Sequence, residues 1–420
     1  MAEKVKKEKF IRISRRTNVK WWQQVIIIGV SILVAFLLCG LISNIAAPGS
    51  FGEYYEYLFK GTFSTPRIFM TLLWNTAIML LVAVALTPSF KMRFWNIGAE
   101  GQCLMGALGT VIGLYFIAPH VPTFLAIIIE LALAIIFAVI WAVIPAIFKA
   151  YLNTNETLFT LMMNYIAAGI VVSFIKFNAN SGSGTIIPLN TDTHAGWLPI
   201  IEFFNNSYVY NIIIIALAAS AIFVYLKYSK HGYELSVVGN SQNTARYVGI
   251  NVKTVIIRTS IVTGIVCGLV GFLCCAGGSH TIEEGIIGGR GFTAILICWI
   301  GNFNVPLMLF YSFLITFVSS GSSTAASWLD YPNAISKVST ALFFVILIAC
   351  SFFINFRISI PVVKKFFRKV FRNVVKIVKI IIRWFRKLFR MVKNYKEEES
   401  EKELSTDKES VEDNVEEESK

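Results

Sequence analysis

Apolar runs of about twenty residues recur from one end of the chain to the other. They fall at residues 25–43, 69–88, 102–118, 123–147, 158–176, 209–227, 256–276, 291–303, 306–322 and 336–356. As a helix rising 1.5 Å per residue, such a run crosses the roughly 30 Å hydrocarbon core of a bilayer. Lipid offers no hydrogen bonds, so a spanning segment must satisfy its own backbone, and helices do this within one segment. The pattern predicts an all-α polytopic membrane protein of about ten transmembrane helices. Two places break it. The run from Gly291 to Asn302 is short and lies between the glycine clusters "GIIGGRG" and "GNFN". The stretch "NIGAEGQ", Asn96 to Gln102, carries an acid, two amides and two glycines between long apolar runs. Interrupted helices are tolerated only where protein or a watery cavity receives the freed backbone groups, so broken or re-entrant segments are expected at both.

Composition narrows the class further. Of 420 residues, 55% are hydrophobic and 34 are Phe, and the mean hydropathy of +0.65 exceeds that of a soluble domain. The net charge of +13 would suit a nucleic-acid partner if it were spread over one face. Instead the basic residues crowd before the first span, from Lys4 to Lys20, and after the last, from Arg357 onward. The positive-inside rule then places both termini in the cytoplasm and predicts no nucleic-acid partner. The loops agree. Asn178 to Tyr208 has no Lys or Arg and is expected outside, whereas Lys227, Lys230, Arg246, Lys253 and Arg258 mark a cytoplasmic loop. The first run follows a basic segment like a signal peptide's, but it is long and lacks a good cleavage pattern, so it reads as a retained span.

The organisation is thus a basic cytoplasmic N-terminus (1–24), a transmembrane domain (25–356) with a cytoplasmic loop inside it (228–255), a basic amphipathic segment (357–396) and an acidic, disordered tail (397–420). Between Pro361 and Tyr395, apolar and basic positions each advance by threes and fours on separate faces. That helix carries too many charges to span, and is expected to lie flat on membrane lipids among anionic headgroups. The seven Cys are scattered through apolar runs and read as small core residues. No phosphate loop, H-E-x-x-H arrangement or metal-ligand cluster occurs, so no cofactor or metal is expected on this chain.

Two polar islands carry the candidate chemistry. In the first, Asn96, Glu100 and Gln102 sit at the glycine break. At membrane depth an exposed carboxylate costs about 2.5–3.5 kcal/mol or more, so Glu100 must face a cavity or a partner. The alternative is a short cytoplasmic turn capped by Asn96, which Lys91 and Arg93 favour. In the second, "NETLFTLMMNYIA", Thr160 and Asn164 lie one helical turn apart on one face, behind Asn155 and Glu156. Either that face borders a solute path, or Asn155 caps a helix and Asn164 satisfies a neighbour. Glu130, alone in its span, is assigned no role.

Together "FWNIGAEGQ" and "NETLFTLMMNYIA" resemble the membrane permease of an ATP-binding-cassette importer. The resemblance is to the simple-sugar and nucleoside type, within the larger group of ribose and branched-chain amino-acid permeases. It covers roughly residues 70–355. Thr157-Leu158-Phe159 stand where relatives usually show Val-Ile-Ser. The stretch "VVGNSQNTARYVGINVKTVIIRTS" resembles the family's main cytoplasmic loop, which in relatives forms a coupling helix docked in a groove of the ATPase. The resemblance assigns that role to Gly239, Asn243, Ala245, Arg246, Tyr247 and Gly249. A looser match, "GRGFTAILICWIGNFNVP", has Thr293-Ala294 where relatives often carry Asp-Gly.

The resemblance implies a non-enzymatic transport subunit in the bacterial plasma membrane. ATP and Mg would belong to a separate ATPase chain. A second, unlike permease and a lipoprotein receptor of the basic-membrane-protein type would complete the assembly, with a nucleoside or a simple sugar as cargo. Asn96, Glu100, Gln102, Asn155, Glu156, Thr160 and Asn164 would then border one central cavity. The competing expectation is an ion-coupled secondary transporter with Glu100 and Glu156 as proton-coupled acids. A membrane scaffold, the third, gives no reason for two polar islands.

Overall fold

A computed structural model describes residues 12–15, 20–179, 186–199, 208–283 and 285–359. The amphipathic helix expected from 361 to 395 and the acidic tail lie outside these residues. The chain divides into two compact units, one formed by residues 1–21 and 352–420 and the other by 22–351. In the first, strand β1 (Arg12–Arg15) pairs antiparallel with β2 (Phe356–Ser359), Arg12 opposite Ser359 and Arg15 opposite Phe356.

The second unit is helical: α1 (Trp21–Ala46), α2 (Phe51–Phe63), α3 (Pro66–Lys91), α4 (Ala99–Phe116), α5 (Thr123–Leu152), α6 (Glu156–Asn178), α7 (Tyr208–Tyr228), α8 (Lys230–Asn240), α9 (Gln242–Tyr247), α10 (Val252–Cys274), α11 (Arg290–Ile300), α12 (Val305–Trp328) and α13 (Asn333–Asn355). Among the described residues nine helices are long and apolar enough to cross a membrane, not ten. The expected span at 291–303 is α11, only 11 residues. At 1.5 Å per residue it covers about 16 Å, half a bilayer core. Helix α2 was not expected. The sequence of α2 mixes Glu, Lys and Gly with aromatics, so it lacks a spanning run. It folds by burying Tyr54, Leu58 and Thr62, four residues apart, and the Tyr54 hydroxyl meets Ser322 Oγ on α12 at 2.7 Å.

Helix starts follow from local chemistry. Thr65 caps α3 ahead of Pro66, and Asn155, Ser229, Ser241 and Asn251 cap α6, α8, α9 and α10, each accepting from the amide three residues on. Helices α3, α4 and α10 are mostly buried, whereas α1, α5, α7 and α13 are mostly on the outside of the bundle.

In lipid, burying apolar side chains gives no drive for helix association, so close backbone packing must supply it. Helices α4, α5 and α10 meet through small residues. Ala126, Ala134, Ala138, Ala142 and Ala146 form a buried stripe along α5 at intervals of four or eight. Gly264 and Gly268 of α10 lie against its backbone, and Gly106 of α4 against Gly268. A Cβ on Gly271 would stand 2.3 Å from Ala107 N and 2.5 Å from Cys103 O. Those atoms are backbone and cannot rotate away. Gly271→Ala is therefore expected to force α4 and α10 apart, at a cost of about 1–3 kcal/mol, read as a lower thermal midpoint. Gly169→Ala is the control, because open space surrounds that position; equal midpoints for the two variants would refute this account of the packing.

Candidate functional site

The first polar island is where α3 stops and α4 restarts. Residues 94–98 run without regular helix, so their amides need partners from elsewhere. Phe94 N turns to Ser89 O and Asn96 N to Phe94 O, and helix α6 supplies further partners. Thr160 Oγ1 accepts from Ile97 N at 3.1 Å, Asn164 Oδ1 accepts from Gly101 N at 2.9 Å, and Asn164 Nδ2 donates to Ile97 O at 2.9 Å. Within the break, Asn96 Oδ1 accepts from Gly98 N at 2.9 Å, and the Asn96 and Gln102 side chains exchange hydrogen bonds of 3.3 and 3.4 Å. Asn96, Gln102, Thr160 and Asn164 are all buried. Gly101 is needed for this fit, since a Cβ there would lie 2.8 Å from Asn164 Oδ1.

Glu100 reaches further. Its two carboxylate oxygens accept from Gly289 N at 2.8 Å and Gly291 N at 2.7 Å. These amides open α11, where four N–H groups have no partner within the helix. A carboxylate there satisfies two of them and faces the positive end of the helix dipole. Glycine is required on the other side of the contact: a Cβ on Gly291 would stand 2.5 Å from Glu100 N and 2.7 Å from its Cα. Gly289 precedes α11 at φ +75°, a backbone region that side chains disfavour.

Between the two tethered glycines, Arg290 projects to Asn75 of α3, donating from Nη2 to Oδ1 at 2.8 Å. Both line a polar cavity of about 330 Å³ among α3, α11, α12 and α13. Its other walls include Glu283, Thr293, Thr316, Ser319, Ser320 and Thr340.

The expected site residues therefore separate into three groups. Asn96, Gln102, Thr160 and Asn164 come together as one hydrogen-bonded knot at the break, Glu100 beside them bonds instead to the start of α11, and none of the five is among the cavity's lining residues. Asn155 caps α6 by accepting from Leu158 N at 3.2 Å. Glu156 pairs with Lys149 at 2.9 Å, at the end of α5. Apart from Arg290, Thr293 and their neighbours in the wall, which fall in the glycine cluster and the looser family match, the lining residues stand in no motif singled out in the sequence. Thr316, Ser319 and Ser320 are spaced i, i+3, i+4 inside an apolar run and could have signalled one polar helix face; Asn75, single in its run, gives a weaker sign.

The cytoplasmic-loop candidates lie elsewhere. Met92, Phe94, Ala146, Leu235, Val238, Ala245, Val252, Val255 and Ile256 form a second, smaller apolar cluster that holds α8 and α9 to the ends of α3, α5 and α10. Gly239 packs against the Lys91 carbonyl, and Gly249 turns the chain at φ +79°. With Ala245 buried beneath, Asn243, Arg246 and Tyr247 are exposed, Tyr247 at 92%. Glu234 of α8 is tied to Arg258 at 2.7 Å, and the guanidinium holds its carboxyl below the usual range.

At the far end of α10, residues 186–199 are strapped across the helix tops. Leu189 N donates to His280 O at 2.9 Å, Leu198 N to Ala276 O at 3.1 Å, and Asn190 Nδ2 to Leu114 O at 3.0 Å. The His280 ring stacks on Trp197 with centroids 3.6 Å apart. Burial, and secondarily the neighbouring His194, push its imidazole down to about 4. Beneath this strap Glu130 is buried, and among the described residues neither carboxyl oxygen has a hydrogen-bond partner.

A bundle of helices long and apolar enough to span, with a half-length helix at a polar cavity and an exposed knob on a helical hairpin, is an architecture suited to a membrane permease. The chain belongs to the family described as "Branched-chain amino acid transport system / permease component", which matches residues 68–351. It is 25% identical to the glucose ABC transporter permease protein TsgB13 of Haloferax volcanii, over 78% of this chain and 88% of that one. It is also 25% identical to the nucleoside ABC transporter permease protein NupB of Lactococcus lactis, over 70% of this chain and 82% of that one. The guanosine ABC transporter permease protein NupP of Bacillus subtilis is likewise 25% identical, over 64% and 78%. The chain is a multi-pass plasma-membrane permease of an ATP-binding-cassette importer. It is a transport subunit and not an enzyme; the ATPase is a separate chain, and a substrate-binding protein is a further partner. Membership sets the ion-coupled alternative aside.

Two predictions arise from this geometry. Glu100→Gln keeps the shape but turns an amide N–H₂ toward a backbone N–H; each hydrogen bond to a charged group contributes about 1.5–3 kcal/mol. The variant is expected to melt earlier and to transport more slowly, and unchanged behaviour in both would exclude Glu100 as the anchor of α11. The second concerns His280. An imidazole whose folded value is lowered stabilises the fold above the unfolded value near 6.5, and that contribution fades as pH falls toward 4. His280→Phe, which keeps the stack on Trp197, is expected to flatten this acid loss of thermal stability; an identical pH profile would reject the assignment.

Proposed function

We propose that this permease imports a nucleoside, with a simple sugar as the second reading, through the cavity beside α11. The observation that carries this is the cavity's wall. It presents four or more hydroxyls, the Asn75 amide, one guanidinium and one carboxylate. Such a set can hydrogen-bond a neutral, hydroxyl-rich solute without leaving a buried charge unpaired. Thr293, where relatives often carry an acid, keeps the wall's charge balanced. The names of the relatives, two for nucleosides and one for glucose, agree with that chemistry.

On this reading Asn96, Glu100, Gln102, Thr160 and Asn164 support the path by fixing the end of α11, with Asn155 and Glu156 ordering the start of α6 behind them. The knob of Asn243, Arg246 and Tyr247, held over Ala245 between Gly239 and Gly249, docks in the ATPase. ATP and Mg act there and not on this chain. Both termini are cytoplasmic on this reading, and the pairing of β1 with β2 supports their sharing one side. A second, unlike permease completes the path, and a lipoprotein receptor of the basic-membrane-protein type delivers the cargo in a bacterial plasma membrane.

Uptake of labelled nucleoside by cells carrying the whole importer tests the reading. Thr316→Val and Ser320→Ala are expected to lower uptake tenfold or more together, with ATP hydrolysis retained. Arg246→Ala with Tyr247→Ala is expected to give the converse: substrate still reaches the cavity, but hydrolysis no longer drives it. Competition by excess unlabelled sugar rather than nucleoside would favour the second reading. Competition by neither, or full uptake in both double variants, would reject the path and the knob respectively.

A further inference from the structure

A second cavity, of about 310 Å³, opens between α3, α7 and the start of α12, apart from the polar one. Its wall is apolar along most of its length: Val84, Ile222, Phe223, Leu226, Phe303 and Val305. The α11–α12 turn makes one side, with Phe303 at φ +60° and its amide bonded to Cys298 O at 3.1 Å. Only one end is charged, and there both charges are positive: Lys91, which ends α3, and Lys227, in the last turn of α7. Among the described residues neither ammonium has a carboxylate within ion-pair distance, since the three ion pairs engage Lys60, Lys149 and Arg258. Lys227 Nζ instead lies over the Phe223 and Tyr228 rings, 5.5 and 5.2 Å from their centroids. Both lysines sit at the end of the bundle that carries α8 and α9, because Met92 and Leu226 pack into the same apolar cluster as those helices.

We infer that this groove is a binding site for one anionic phospholipid of the leaflet on the α8–α9 side. The acyl chain lies along Ile222, Phe223, Leu226 and Phe303, and the headgroup phosphate sits between Lys91 and Lys227. Charge complementarity selects the occupant. A zwitterionic lipid brings its own cation beside the phosphate and so adds no net negative charge between the two ammonium groups, whereas a soluble anion would leave the apolar wall uncovered. Basic pockets between spans at this membrane depth have the chemistry for acidic headgroups. The site touches α3, whose other face carries Asn75, and the α11–α12 turn. A lipid seated there would brace the far end of the half-length helix from the end that Glu100 holds. The inference does not depend on which solute is carried.

The full-length protein, delipidated in neutral detergent, is titrated with phosphatidylglycerol, phosphatidylcholine and inorganic phosphate in parallel, with binding read by native mass spectrometry and by thermal midpoint. Phosphatidylglycerol is expected to bind tightly and raise the midpoint. Lys91→Gln and Lys227→Gln should each weaken it about fivefold, which corresponds to ~1 kcal/mol per lysine. The basic termini also attract acidic lipid, so the wild type is compared with variants that keep those termini intact. Lys227 is exposed, and its substitution leaves the fold unchanged even if that of Lys91 does not. Equal binding of the two lipids, binding unaltered in Lys227→Gln, or a midpoint rise with inorganic phosphate alone would each overturn the proposal.

Discussion

A helix that ends inside a membrane must have its first amides satisfied, and here one carboxylate does it. Glu100 stands at the start of α4 and accepts from the amides on either side of Arg290. Everything about α11 depends on that contact. With those two amides held, the start of α11 is fixed and Arg290 between them is aimed at Asn75 and the polar cavity. An unsatisfied N–H in hydrocarbon costs several kcal/mol, so the helix would not start there without a partner. Glu100 is in turn held by its own surroundings. The break before it is stitched to α6 by Thr160 and Asn164, and the close approach of Gly291 to the α4 backbone leaves no room for drift. Two interruptions, nearly two hundred residues apart, thus solve one another's hydrogen-bonding problem.

The rest of the bundle is built to keep that junction rigid. Helices α4, α5 and α10 approach to backbone contact through alanine and glycine, which gives a scaffold with few side chains to rearrange. The lining of the polar cavity comes largely from other helices, α3, α12 and α13. The soluble hairpin of α8 and α9 rests on the ends of α3, α5 and α10 through a separate small core. Tyr247 thus stands on helices packed against the ends of α3 and α10, and α3 carries Asn75 at the cavity.

Much of the architecture is legible in the chain itself. The long apolar runs become helices at nearly the expected places, because length and hydropathy alone decide whether a segment can cross lipid. Asn155, Ser241 and Asn251 declare their helix starts, since a cap needs only neighbours three residues away. The two polar islands were also visible as exceptions, and four of their seven residues do meet. Their part in the knot was less legible, because polarity inside an apolar run announces that a partner exists without saying whether it is solute or protein. Asn96 and Gln102 turn to each other, and Glu156 turns to Lys149.

Local sequence thus determined the class, the spans and the caps, because each depends on a window of residues read in order. Tertiary structure decided the rest. That α2 would fold against α12, and that Thr316, Ser319, Ser320 and Arg290 would share one cavity, both depend on contacts across tens to hundreds of residues. Glu100 could be flagged by its cost in a membrane, but its partners are backbone amides of two glycines, and an amide is common to nearly every residue. No side-chain pattern marks such a pair in advance; only the packing that brings α4 within 3 Å of α11 selects them.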